Sequence, residues 1–293
     1  MRRRYHIVHQ PQVNSPVTDF PDPLRLTHMT WPEVESARDS VRLVAIPLGS
    51  IEQHGPNSSF DTDSVIVEEL TLRMASRFHP QILVAPTVPF GMSAYHMGFP
   101  GSITLRTATY LHVLEDNVQS LLHHGFDRFL FTNWHNGNEP VMNMALQTIP
   151  TRHPITFMSG ISFYDLEDDD LFKELVKSDT WGHADELETS ELLTLRPDRV
   201  KQDALAPGAV RPEGRKARHR FWRSGIRMST DFLDFTSNGA VGDATRADLN
   251  DGWRMMQVIE QRLDQLICDL LDAPDDLVSR GRIPMWRKDT ETQ

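Results

Sequence analysis

Apolar and polar positions along this chain follow two rhythms in turn, short unbroken apolar runs and longer stripes at helical spacing. Leu43-Val44-Ala45-Ile46-Pro47-Leu48 has no polar residue in it and reads as a strand buried on both faces. Residues 64–78 switch to helical spacing, with Ser64 placed to cap the first turn. A second apolar run occupies residues 81–86. Residues 106–124 then carry Leu111, Val113, Leu114, Val118, Leu121 and Leu122 on one helical stripe, with Gly125 placed to end it. Further strands are expected at 128–133 and 155–158, and helices at 139–149, at 186–195 and from about 250 to 271. Strands alternating with helices of this length predict an α/β fold, a mostly parallel sheet with helices on both faces.

The flanks read differently. Residues 1–38 hold Pro11, Pro16, Pro21 and Pro23 and form an N-terminal arm leading into a short helix near Trp31. Residues 39–273 form the single large domain that 293 residues can support, and residues 274–293 form a loosely held C-terminal tail. A formal net charge of -11 argues against a nucleic-acid partner, because binding the phosphate backbone needs a basic face. No apolar window approaches the roughly eighteen residues of a membrane span, and Met1-Arg2-Arg3-Arg4 is not followed by a signal-peptide core. A cytoplasmic location is the expectation. Cys268 is the only cysteine, so no intrachain disulfide can form, and its apolar neighbours Leu266, Ile267, Leu270 and Leu271 predict a buried packing role. Two segments look like insertions, the acidic cluster 167–170 and the basic stretch 211–223. The latter is either a solvated loop or a grip for an anionic substrate or a neighbouring subunit.

The chemistry gathers in loops that follow the strands. Gly49-Ser50-Ile51-Glu52-Gln53-His54-Gly55-Pro56, with Asp61 and Asp63 close behind, ends the first run. Glu, His and Asp together are the donor set of a divalent metal such as zinc, manganese or iron. A second loop, Asn133-Trp134-His135-Asn136-Gly137-Asn138, follows the third strand. A third stretch, His183-Ala184-Asp185-Glu186-Leu187-Glu188-Thr189-Ser190, opens a helix. Ser93, Tyr95 and His96, past the second strand, suit the wall of a pocket for a small polar ligand. No Gly-x-Ser-x-Gly elbow and no Gly-x-Gly-x-x-Gly turn after a strand is present, which disfavours a serine hydrolase and a dinucleotide dehydrogenase.

These loops resemble the motifs of the creatininase family of amidohydrolases. So do Phe99-Pro100-Gly101-Ser102-Ile103-Thr104-Leu105 and the turn Val241-Gly242-Asp243-Ala244-Thr245, and all five stand in family order between about residues 41 and 270. The resemblance implies a Rossmann-like fold, a centre of two divalent ions (Zn, Mn or Fe) and a homo-oligomer, often a hexamer. Carried over residue by residue, Glu52 and His135 would hold one ion, His54 the other, and Asp63 would bridge them. The family carboxylate two residues beyond the loop-two histidine is replaced here by Gly137. Glu188 is the choice for that missing ligand, with Glu186 and Glu139 as weaker substitutes. His183 would be the general acid/base. Trp134 and Asn136 stand where the family has small glycines and are expected, with Ser93, Tyr95 and His96, on the substrate side. Asp185 replaces a glycine beside His183. The implied reaction is hydrolysis of a C–N bond in a small cyclic or linear amide by hydroxide generated at the metals. Alternatives are hydrolytic opening of a carbocyclic ketone at the same centre and a non-catalytic binding or assembly role.

Overall fold

Strand β2 (Leu43–Leu48) lies at the middle of the fold, and all six of its residues are buried. It does so because both of its faces are apolar. Leu43 and Ala45 point into one core, while Val44, Ile46 and Leu48 point into the other. A computed structural model describes residues 20–213 and 230–272 of the chain. In it β2 belongs to a five-stranded sheet with β1 (Leu24–Arg25), β3 (Ile82–Val84), β4 (Arg128–Asn133) and β5 (Phe157–Ser162). The order is β1-β3-β2-β4-β5 and every pairing is parallel. Parallel sheets need both faces covered. Helices α2 (Thr62–Arg77), α6 (Glu186–Leu195) and α8 (Leu249–Asp272) supply residues to one core. Helices α3 (Thr107–His123) and α4 (Glu139–Arg152) cover the opposite face. Shorter helices include α1 (Trp31–Ala37), α5 (Asp169–Leu175) and α7 (Phe232–Phe235).

Two features of this arrangement place the site. Leu48 pairs with Asn133, so β2 and β4 end level and their loops leave the sheet side by side. The chain runs from β2 to β3 on one flank, and β4 lies on the other. Ligand sites of open α/β sheets form at such a point, where the strand order reverses. Helix α6 is held against α8 by the absence of a side chain at Gly252, where a Cβ atom would come within 2.1 Å of the Ser190 carbonyl oxygen. Backbones approach that closely only at glycine.

Several expectations are corrected in detail. Helix α2 begins at Thr62, not Ser64, because the Ser64 hydroxyl donates to the Ser50 carbonyl (3.0 Å) and ties the helix to the first loop instead of capping it. Strand β5 runs Phe157–Ser162, later than 155–158, since Thr156 and Phe157 both donate to Asp127 O just before β4 and pairing starts there. Its serines and Gly160 are tolerable in an edge strand. Helix α4 continues through Pro150, which falls in its last turn. Cys268 is exposed. Met256, Ile259, Leu263, Ile267 and Leu271 form the buried stripe of α8, and Cys268 is turned out of it. Asp168 of the acidic cluster caps α5 through the N–H groups of Asp170 and Leu171. Most of the basic stretch, from residue 214 onward, lies outside the described residues, as do residues 1–19 of the arm and the whole tail.

Candidate metal centre

The loop after β2 carries Glu52 and His54, the first turn of α2 carries Asp63, the loop after β4 carries His135, and the first turn of α6 carries Glu188. These five side chains meet. Donor atoms of Glu52, Asp63 and His135 lie within 4.8 Å of one another, and so do those of His54, Asp63 and Glu188. Asp63 belongs to both groups and turns one oxygen to each. Its Oδ2 is 3.5 Å from His135 Nδ1 and its Oδ1 is 3.8 Å from His54 Nε2. Glu52 Oε2 stands 3.1 Å from His135 Nδ1, and Glu188 Oε1 is 3.7 Å from His54 Nε2. A third group joins Glu52 and His54 to His183.

The alternatives to Glu188 are engaged elsewhere. Glu186 accepts from the N–H groups of Lys177, Ser178 and Asp243, and Glu139 accepts from the hydroxyls of Ser162 and Tyr164. Gly137 has no room for a side chain, because a Cβ atom there would come within 2.4 Å of His135 Nε2. Helix α6 starts so as to aim Glu188 inward. Asp185 is its N-cap, accepting from Leu187 and Glu188 N–H, and its other oxygen takes Gly182 N–H. Ala184, at φ 49, holds the left-handed bend before the cap and donates to Glu188 Oε2 (2.6 Å), leaving Oε1 for His54.

Among the described residues no lysine or arginine compensates the carboxylates of this cluster, and only histidines form ion pairs with Glu52, Asp63 and Glu188. His54 Nε2 and Asp63 Oδ2 are buried without a hydrogen-bond partner. Separations of 3.7 and 3.8 Å are too long for hydrogen bonds but suit donors that each reach one ion over about 2 Å. The donor set therefore fits divalent metal. Without it, protons must compensate the charge. Against the pull of burial, Glu188, Asp63 and Glu52 hold the His54 imidazolium up to about 10, and Glu52 and Asp63 hold that of His135 up to about 9. Burial, with Glu52 beside it, raises Asp63 to about 7. Glu188, despite its burial, is drawn down to about 2 by His54.

A family model described as creatininase, creatinine amidohydrolase, matches residues 27–267. The chain belongs to the creatininase family. It is 29% identical to the mycofactocin precursor peptide peptidase of Mycolicibacterium smegmatis over 219 residues, 73% of this chain and 80% of that protein. It is 24% identical to the 3-dehydro-scyllo-inosose hydrolase of Thermotoga maritima over 260 residues, 83% of this chain and 82% of that one. A putative creatinine amidohydrolase from Bacteroides fragilis shares the fold with a TM-score of 0.75 at 22% identity, covering 87% of this chain and 98% of that structure. This creatininase-family chain is thus a hydrolase by its relatives, and its buried His, Glu and Asp cluster accords with metal dependence.

The residues expected on the substrate side separate. Tyr95 stacks against His135, ring centres 6.0 Å apart, with its hydroxyl 3.4 Å from His135 Nε2. His96 is deeper, with Nε2 3.3 Å from Glu52 Oε1. Ser93 is buried and bonded to the Ser50 hydroxyl. Trp134 is buried and its indole N–H reaches Glu188 Oε1 at 3.4 Å. Asn136 is exposed. His183 Nε2 lies 2.7 Å from the Gln53 carbonyl oxygen, and its Nδ1 faces Glu52 Oε1 at 3.8 Å. Burial and the nearby His54 push its pKa down to about 4.

Three participants escape the sequence reading. Phe232 of α7 stacks on His96 (4.2 Å between centres) and meets His183 edge-on (4.7 Å), closing one side of the cluster. Asn138 ties the loops together by donating to Gly49 O and Asn133 Oδ1 and accepting from Met92 N–H. Gln53 is buried between His96 and His183. Asn138 and Gln53 sit inside motifs that the sequence displays, but an amide offers no ionic signal. Nothing local marks Phe232, about fifty residues downstream of His183.

Proposed function

We propose that this protein is a dinuclear metal hydrolase that cleaves a C–N bond of a small cyclic or linear amide. The observation that carries the reading is Asp63, whose two oxygens face two separate donor groups. Glu52, Asp63 and His135 would hold one ion, and His54, Asp63 and Glu188 the other. Bound there, divalent ions activate water near neutral pH and polarise a substrate carbonyl. The oxygen and nitrogen donors suit Zn, Mn or Fe. Solved creatininases related by fold are described as a manganese form and a zinc–zinc form.

The rest of the chemistry belongs to this chain's side chains. With its Nε2 proton given to the Gln53 carbonyl, His183 presents a bare Nδ1 to the cluster. It can take a proton there from the attacking water and return it to the departing nitrogen. Its low proton affinity in the absence of substrate keeps that lone pair free at neutral pH. Phe232 and Tyr95 shield the imidazoles from solvent, which strengthens electrostatic contacts inside. The Tyr95 hydroxyl is placed to meet a polar substrate group. The inosose hydrolase relative supports a second reading, hydrolytic opening of a carbocyclic ketone at the same centre. A homo-oligomer in the cytoplasm belongs to the same proposal, and light scattering on a sizing column tests the assembly state.

Elemental analysis of protein purified without chelator or polyhistidine tag tests the reading. About two divalent ions per chain are expected, followed by turnover in a screen of amides, lactams and cyclic ketones. No metal after incubation with zinc or manganese would overturn it.

A further inference from the structure

Gln53 lies between the two imidazoles that are not among the five proposed ligands, and its hydrogen bonds decide where their protons sit. The orientation of its side-chain amide is fixed by backbone groups of unambiguous polarity. Oε1 accepts from Gly55 N–H at 2.9 Å, and Nε2 donates to Gly239 O at 3.1 Å. Gly239 is pressed so close that a Cβ atom there would lie 1.7 Å from Gln53 Oε1, so the amide is clamped. An amide nitrogen has two hydrogens. One goes to Gly239, and the other points at His96 Nδ1, 2.9 Å away. His96 Nδ1 must then be an acceptor, which puts the ring proton on Nε2, facing Glu52 Oε1 at 3.3 Å.

His183 is governed by the backbone of the same residue. Its Nε2 lies 2.7 Å from the Gln53 carbonyl oxygen, a contact that requires a proton on that nitrogen. The 3.1 Å approach of Gln53 Nε2 to the same ring atom cannot be a hydrogen bond, since both hydrogens of the amide are already used. Nδ1 of His183 is left bare.

We infer that Gln53 is a positioning residue that gives both histidines the Nε2–H tautomer, so that His96 presents a donor to Glu52 while His183 presents an acceptor to the reacting atoms. The division of labour between two similar, neighbouring rings follows from how each is turned. The donor from His96 orients Glu52 in the way that outer hydrogen bonds orient metal-binding carboxylates, and this consequence rests on the ligand role proposed above.

The test is solid-state NMR of zinc-loaded protein carrying 15N-labelled histidine, with a His96→Gln variant to assign that ring. In the wild type, His96 and His183 should each show a protonated Nε2 and a bare Nδ1. In Gln53→Glu a carboxylate oxygen replaces the donor, so His96 should acquire a proton on Nδ1 while His183, held by the unchanged backbone carbonyl, stays as it was. Zinc affinity should fall by roughly 10–100-fold in that variant. A wild-type His96 protonated on Nδ1 would overturn the inference even if the variant fails to fold. A His96 signal indifferent to Gln53→Glu, or a His183 signal that moves with it, would do the same. The readout is ring protonation, so it stands whether or not a hydrolysable substrate is found, and failure of the hydrolase reading remains distinguishable.

Discussion

At the scale of single residues, Asp63 and His183 make opposite predictions. Removing Asp63 takes one oxygen from each donor group and leaves two histidines and two carboxylates too few to hold either ion well. Asp63→Ala should therefore lose both metals together, as read by elemental analysis after dialysis. Two tightly held ions in that variant would refute the bridging role. His183 is proposed to contribute proton transfer, not charge compensation. His183→Gln should keep both ions and lower kcat by about 10²–10⁴-fold, the usual worth of a positioned general base. A variant that loses metal instead would place His183 among the ligands, in the third donor group with Glu52 and His54.

At the scale of elements, helix α6, which carries the proposed ligand Glu188, depends on a contact remote from the donor cluster. Gly252 of α8 lets the Ser190 carbonyl come close, and Ser190 lies half a turn beyond Glu188. Gly252→Val would push α6 away from α8. We expect a loss of about 1–3 kcal/mol in denaturant unfolding, as for other overpacked interiors. The same displacement should weaken the ion proposed at His54 and Glu188 before the one proposed at Glu52 and His135, so a chelator titration should remove one equivalent early. Simultaneous release would show that α6 is not separately coupled to that site. The elements that can be read from sequence are those whose own residues fix their burial. β2 is an unbroken apolar run, β4 is built around Phe129-Leu130-Phe131, and α3, α6 and α8 start and stop near where periodicity puts them. Two-residue β1 and serine-rich β5 are made by pairing with neighbours and leave little mark of their own. The apolar neighbours of Cys268 suggest burial, but the 3.6-residue period sends Ile267 inward and its successor out. The motif side chains Glu52, His54, Asp63, His135, Glu188 and His183 do come together in space. What sequence could not supply was their support, since Gln53, Asn138 and Phe232 act through contacts whose partners lie up to 186 residues away.

At the scale of the whole molecule, the site couples folding to metal and to pH, and the two couplings run in opposite directions. In the metal-free protein His54, His135 and Asp63 all have raised proton affinities, up to about 10, about 9 and about 7. A group whose folded pKa is raised stabilises the fold at pH values below its unfolded pKa and loses that contribution as pH climbs through the folded value. Metal-free protein should thus become less stable from about pH 6 to about pH 10, as Glu52, Asp63 and Glu188 lose their proton counterweight. Glu188, drawn down to about 2, acts at the other end, where its contribution disappears only as acid approaches that value. Metal binding needs the deprotonated donors and expels the same protons, so affinity rises with pH. The zinc-loaded protein should then lose little stability, or gain some, over the range in which the metal-free form weakens. The measurable consequence is a gap in Tm between loaded and metal-free protein that widens from about pH 6 to about pH 8, accompanied by proton release on titrating zinc into weakly buffered protein. A gap that stays constant, with no protons released, would mean that the buried histidines are already neutral without metal. The cluster would then be held by hydrogen bonds, and not by the charge deficit that two ions are proposed to fill.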